Sequence, residues 1–155
     1  MIPETYEEAR DLGNIKNILK NYCDEIMVLI SEGGYRGYYF ILLRTNNQFA
    51  YIHSAYGSCS GCDLLQNIIE DFPVDHLLKE GSQYYIEQQH LAIKRYIDFV
   101  KGIQTSINWK TLTEMKAFIL NHDYEGSAYG SSFLKFKEPA LKILDQFDKV
   151  NHDRT

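Results

Sequence analysis

The sequence predicts an α+β fold: a three- or four-stranded antiparallel meander packed with about four main helices. Three observations predict it. Between Ile26 and Tyr56 three apolar runs follow one another with only short connections. Short connections imply antiparallel neighbours, because a parallel pair needs a crossover of a dozen or more residues. Helical periodicity flanks these runs instead of alternating with them, which separates α+β from a doubly wound sheet. Finally, no linker, low-complexity tract or charge block divides the 155 residues. Residues 1–150 therefore read as one α+β domain, and 151–155 as a frayed tail.

The first helix is announced by Thr5 and Glu8, a Thr-x-x-Glu capping box. Leu12, Ile15, Leu19 and Tyr22 continue it on one face. Gly13 weakens its middle by about 1 kcal/mol relative to Ala. Ile26–Ser31, Tyr38–Arg44 and Gln48–Tyr56 are the three strands. Gly33–Gly37 turns between the first pair. Asn46-Asn47 turns between the second, since Asn tolerates a left-handed backbone. LLQNII, from Leu64, predicts a short helix. Ile86, His90, Ile93, Ile97 and Val100 predict a long one over about 83–101, broken from what precedes it at Gly81-Ser82. Thr111 and Glu114 form a second capping box, opening a helix to about Asn121 with Leu112, Met115 and Ile119 inward. Trp109 lies just ahead of that cap, placed to pack on the first turn. Ser132–Phe136 alternates like a fourth strand. Pro139 suits the first turn of a final helix whose buried face is Ala140, Ile143, Phe147 and Val150.

Composition excludes several classes. The chain is 45% apolar and 24% charged, so it is not disordered throughout. No apolar run approaches the roughly 18 residues needed to cross a bilayer. Three cysteines are too few for a disulfide scaffold. The net charge is −5, with the acidic excess in residues 1–101 and the remainder balanced. That argues against direct nucleic-acid binding, and no dense acidic run resembles a DNA mimic. MIPETYEEAR has no basic and no apolar signal region. With an odd cysteine count, the expected compartment is the cytoplasm.

The conspicuous segment is YGSCSGCD, Tyr56–Asp63, between the third strand and the short helix. Cys59 and Cys62 form a CxxC at a strand-to-helix turn, where helix amides favour the thiolate. A thioredoxin-like pair belongs with a βαβ pattern, which is missing here. Structural zinc needs four ligands, and the spare candidates are His53 and Cys23. In a meander Cys23 falls at the opposite end of the sheet, about 20 Å away. The bland alternative is a tight turn of small residues, capped by Ser60 or Asp63.

The string YGSCSGCD, after an aromatic strand and before an LQ-containing helix, resembles a motif in a family of small uncharacterised bacteriophage and prophage proteins. The resemblance covers about residues 38–68. It departs from that family at Ala55, where another aromatic is expected. It implies a phage gene product in a bacterial cytoplasm and carries no activity.

SAYGS occurs twice, at Ser54–Ser58 and Ser127–Ser131. No longer repeat accompanies it, so no structural unit is duplicated. On one side of a fold the two copies would present Tyr56 and Tyr129 together, and tyrosine supplies rigid contact area at low entropic cost. RGYYFILL, Arg36–Leu43, partly matches an RNA-recognition strand, but Tyr39 and Leu43 break the pattern and no helix precedes it. His90, alone on an apolar stripe, reads as a buried or boundary residue. Asn121-His122-Asp123 reads as a helix C-cap. No HExxH, GxSxG, Walker A, GxGxxG or EF-hand pattern occurs.

These residues and the resemblance lead to one expectation: a non-enzymatic protein-binding module, a phage or prophage accessory protein that binds a host bacterial protein. Its sharpest form is an inhibitor of a host defence component. The candidate surface is Tyr35, Arg36, Tyr56, Gly57, Ser58, Cys59, Ser60, Gly61, Cys62, Asp63, Tyr129 and Gly130. No catalytic residue, cofactor or membrane partner is expected, and a homo-oligomer stays open. Two alternatives stand beside it. One is a thiol-redox or zinc protein centred on Cys59 and Cys62, with His53 as a further ligand. The other is a small-ligand binder using the Gly/Tyr loops.

Overall fold

The computed structural model describes residues 2–33, 37–56, 64–74, 81–122 and 130–153. Its element order is α1 (Tyr6–Leu12), α2 (Ile15–Leu19), β1 (Glu25–Gly33), β2 (Gly37–Thr45), β3 (Gln48–Tyr56), α3 (Leu64–Glu70), α4 (Gln83–Ser106), β4 (Lys110–Thr111), α5 (Leu112–Asn121) and α6 (Gly130–Asp153). The fold is α+β, with a four-stranded antiparallel sheet in the order β1-β2-β3-β4. The chain forms two compact units. One comprises Met1–Tyr22 and Ala55–Ser106, the other Cys23–Ser54 and Ile107–Thr155. No helix among the described residues is long and apolar enough to cross a membrane.

The unit holding the sheet follows the predicted meander closely. β1 pairs β2 with Leu29 opposite Ile41 and Ile30 opposite Phe40, and a bulge lies between Ile26 and Val28. Asn46 takes the left-handed backbone the turn requires, at φ 52. Side chains clamp that turn. Arg44 reaches Glu25 at 3.1 Å and donates to the Asn46 carbonyl at 2.9 Å, while Asp24 accepts from the Asn46 amide at 2.9 Å. Phe40, Ile41, Leu42 and Leu43 are all fully buried. Both faces of β2 are therefore covered, which is why it reads as a continuous apolar run.

The fourth strand is not Ser132–Phe136. It is the two-residue β4, which pairs Lys110 with Phe49 and Thr111 with Gln48 and ends on the α5 cap, Thr111. Residues 132–136 lie inside α6. Phe133, Phe136, Ala140 and Leu144 recur at helical spacing and are buried together. Over five residues Leu134 and Phe136 suit alternation while Phe133 and Phe136 suit a helix, and the longer register separates the two. Pro139 consequently sits within α6 instead of opening it, where its ring nitrogen has no N–H to donate back along the helix. The buried face runs through Leu144, and Val150 is half exposed. The Thr111–Glu114 capping box is present as expected, with Glu114 N–H donating to Thr111 Oγ1 at 3.2 Å. α5 and α6 are further joined by Lys116, 2.8 Å from Asp145 and 3.5 Å from Asp148.

The other unit is helical. The single first helix expected from Thr5 to Tyr22 is two helices. Thr5 caps α1, and Asn14 restarts the chain by accepting from the Lys16 amide at 2.9 Å. Gly13 lies at the break against Ile69 of α3. In α4, Ser82 Oγ accepts from the Tyr85 amide at 3.1 Å. The helix runs to Ser106, beyond the expected end at 101. Its buried stripe is Tyr85, Ala92 and Tyr96, rotated from the expected one, and His90 is exposed. Tyr85 and Tyr96 supply the buried area, so they orient the helix. Ala9, Ile68, Phe72, Ala92 and Tyr96 form this unit's core. Asp71 and Arg95 pair across α3 and α4.

Candidate functional site

α5 and α6 meet over an aromatic cluster built on the sheet. Period-two alternation puts Tyr38 and Phe40 of β2, and Tyr51 and His53 of β3, on the face that receives the helices. The 3.6-residue period brings Phe118 from α5 and Phe133 and Phe136 from α6 to meet them. His53 stacks on Phe40 with centroids 4.9 Å apart and rings within 8°, and lies 5.3 Å from Tyr38. His122 caps α5, its amide donating to the Phe118 carbonyl at 2.8 Å. Its ring stacks on Phe118 at 4.8 Å and meets Phe133 edge-on at 5.3 Å. Tyr51 lies 5.4 Å from Phe136 and 6.0 Å from His122.

Burial lowers the His53 pKa from its ordinary value, and nearby His122 adds to the effect. A proton on His53 would be desolvated among aromatic rings. The unfolded chain binds that proton near pH 6.5, whereas the folded chain binds it only at lower pH. Stability should thus be unaffected by His53 above pH 6.5 and fall as pH drops from there toward the folded-state pKa. Denaturant midpoints at pH 7.5 and 5.5 check this. Wild type should lose more on acidification than His53→Gln, and parallel losses would refute the assignment.

The two helices of this seam each carry an exposed leucine. Leu120, near the end of α5, is 55% exposed, and Leu134, in the early turns of α6, is 62% exposed. Lys137 Nζ donates to the Leu120 carbonyl at 3.0 Å. That bond satisfies an orphan carbonyl of the last α5 turn and ties it to α6. Rigid helices thereby hold apolar side chains in water beside a cation.

Comparison with protein-family models, curated proteins and solved structures finds no match.

Most residues singled out from the sequence lie outside the described residues. These are Tyr35, Arg36, Gly57, Ser58, Cys59, Ser60, Gly61, Cys62, Asp63 and Tyr129. Tyr56 closes β3 and Gly130 opens α6. His53 is brought into the aromatic cluster. Among the described residues no three His, Cys, Asp or Glu side chains group closely enough to hold a metal ion. Burial raises the Cys23 pKa, so its thiol is held protonated. Leu120 was findable from the sequence, because Leu112, Met115 and Ile119 inward leaves 120 off the buried face. Leu134 was hidden by the strand expected over 132–136.

Proposed function

We propose that this chain is a non-enzymatic protein-binding module that docks on another protein through the α5–α6 seam. The carrying observation is the pair of large apolar side chains, Leu120 and Leu134, each more than half exposed on helices joined by the Lys137–Leu120 bond. Large apolar side chains exposed on helices that are tied together suit a protein interface. The aromatic cluster pre-organises that surface, which reduces what binding must order. The resemblance of YGSCSGCD to phage and prophage proteins supports the setting. In that reading the partner is a host bacterial protein presenting an apolar side chain to the leucines, and the sharpest version is inhibition of a host defence component.

The test is affinity capture from bacterial lysate with the wild-type chain and a Leu120→Glu, Leu134→Glu variant, read by mass spectrometry. A specific partner should be enriched on the wild type and recovered about tenfold less on the variant, as expected for interface anchors. Circular dichroism should be the same for both. Equal recovery, or no protein enriched over a blank resin, would overturn the proposal.

A further inference from the structure

We propose that the cleft between α2 and the second half of α4 binds a small, mainly apolar or aromatic carboxylate. This cleft lies wholly within the helical unit and shares no residue with the α5–α6 seam. Its cavity is about 310 Å³, at the small end of the range typical of small-molecule sites. Helical periodicity builds the wall. Tyr96, Val100 and Lys101 of α4 lie four and five residues apart and face one side, while Ile18 and Tyr22 come from α2 and its C-terminal turn.

Three features of the lining select the ligand. The first is an apolar body, since Ile18, Ile97 and Val100 would be drawn to aliphatic or aromatic carbon. The second is Tyr96, only 4% exposed, with no hydrogen-bond partner for its hydroxyl among the described residues. The residue as a whole is buried, but its hydroxyl is not sealed from solvent; the side chain lines the cavity and can donate into it. Burial, and secondarily the neighbouring Tyr22 phenol, raise its pKa, so at neutral pH the hydroxyl keeps its proton and can donate. The third is Lys101, the lone charged side chain in the lining, which makes no ion pair among the described residues.

An ammonium and a phenol donor beside an apolar wall, with no carboxylate in the lining, are complementary to a carboxylate head on an apolar body. The chain's net charge of −5 disfavours polyanions, so a single negative charge fits better than a nucleotide or an oligophosphate.

Phenylacetate, its neutral amide phenylacetamide and inorganic phosphate serve as probes in an NMR titration of the full chain. Phenylacetate should give saturable shifts confined to residues near 18–22 and 96–104. Its affinity should fall about tenfold in Lys101→Met and in Tyr96→Phe, the loss expected for one charge-assisted hydrogen bond. Phenylacetamide and phosphate should bind at least about tenfold more weakly, each lacking one half of the recognition. Lys101 is exposed, so Lys101→Met keeps the test valid if Tyr96→Phe perturbs folding. No saturable shift with phenylacetate, equal binding of the amide, or full affinity in Lys101→Met would overturn the proposal and leave the cleft to water.

Discussion

Phe40→Ala should destabilise the fold by about 3–5 kcal/mol, the range for truncating a buried aromatic. Phe40 is fully buried in the centre of the sheet. Its ring stacks on His53 at 4.9 Å and reaches Phe133 at 6.1 Å and Phe136 at 6.2 Å. Truncation leaves a void exactly where β2, β3 and α6 converge, and neighbouring rings cannot all collapse into it without leaving their own contacts. Urea denaturation checks this through a lower midpoint at unchanged slope. The same variant should reduce partner capture, because the first turns of α6 rest on Phe133 and Phe136. A loss below about 1 kcal/mol would show that the aromatic cluster does not hold helix to sheet as described.

Gly13→Ala should destabilise the chain by about 1–3 kcal/mol, the usual cost of overpacking. Helix propensity alone predicts the opposite, a gain of about 1 kcal/mol. The structure reverses the sign through space. A Cβ at position 13 would lie 2.6 Å from the Ala9 carbonyl oxygen and 2.8 Å from Ile69 Cγ1, and would overlap Ile69 Cδ1. A side chain can yield; a backbone carbonyl in the last turn of α1 cannot without distorting the helix. Backbone strain is not the cause, because Gly13 has φ −77, open to any residue. Thermal and urea unfolding read the effect. Pairing Gly13→Ala with Ile69→Ala should recover only part of the loss relative to Ile69→Ala alone, since the carbonyl contact remains. Any stabilisation by the single variant would refute the close approach of α1 to α3.

Much of the fold was legible because its signals are local. Thr5, Asn46 and Thr111 each act through hydrogen bonds or backbone conformations within a few residues of themselves. The three strands of the meander were readable from apolar runs joined by short turns. The seam was half legible. Leu120 follows from helix geometry once the α5 cap is recognised. Leu134 does not, because strand alternation groups Leu134 with Phe136, whereas the helical spacing of Phe133 and Phe136 turns Leu134 outward.

Local chemistry in the residues themselves settled the caps, the hairpin at Asn46, the antiparallel order of β1 to β3 and the α+β class. Tertiary packing settled the rest. It placed residues 132–136 in a helix, because Phe133 and Phe136 continue into Ala140 and Leu144 as one buried face. It rotated α4 onto Tyr85 and Tyr96, leaving His90 exposed. It split the first helix at Gly13 and made that glycine necessary for space. The physical reason is that burial depends on which residues meet in space, and local patterning does not carry that information.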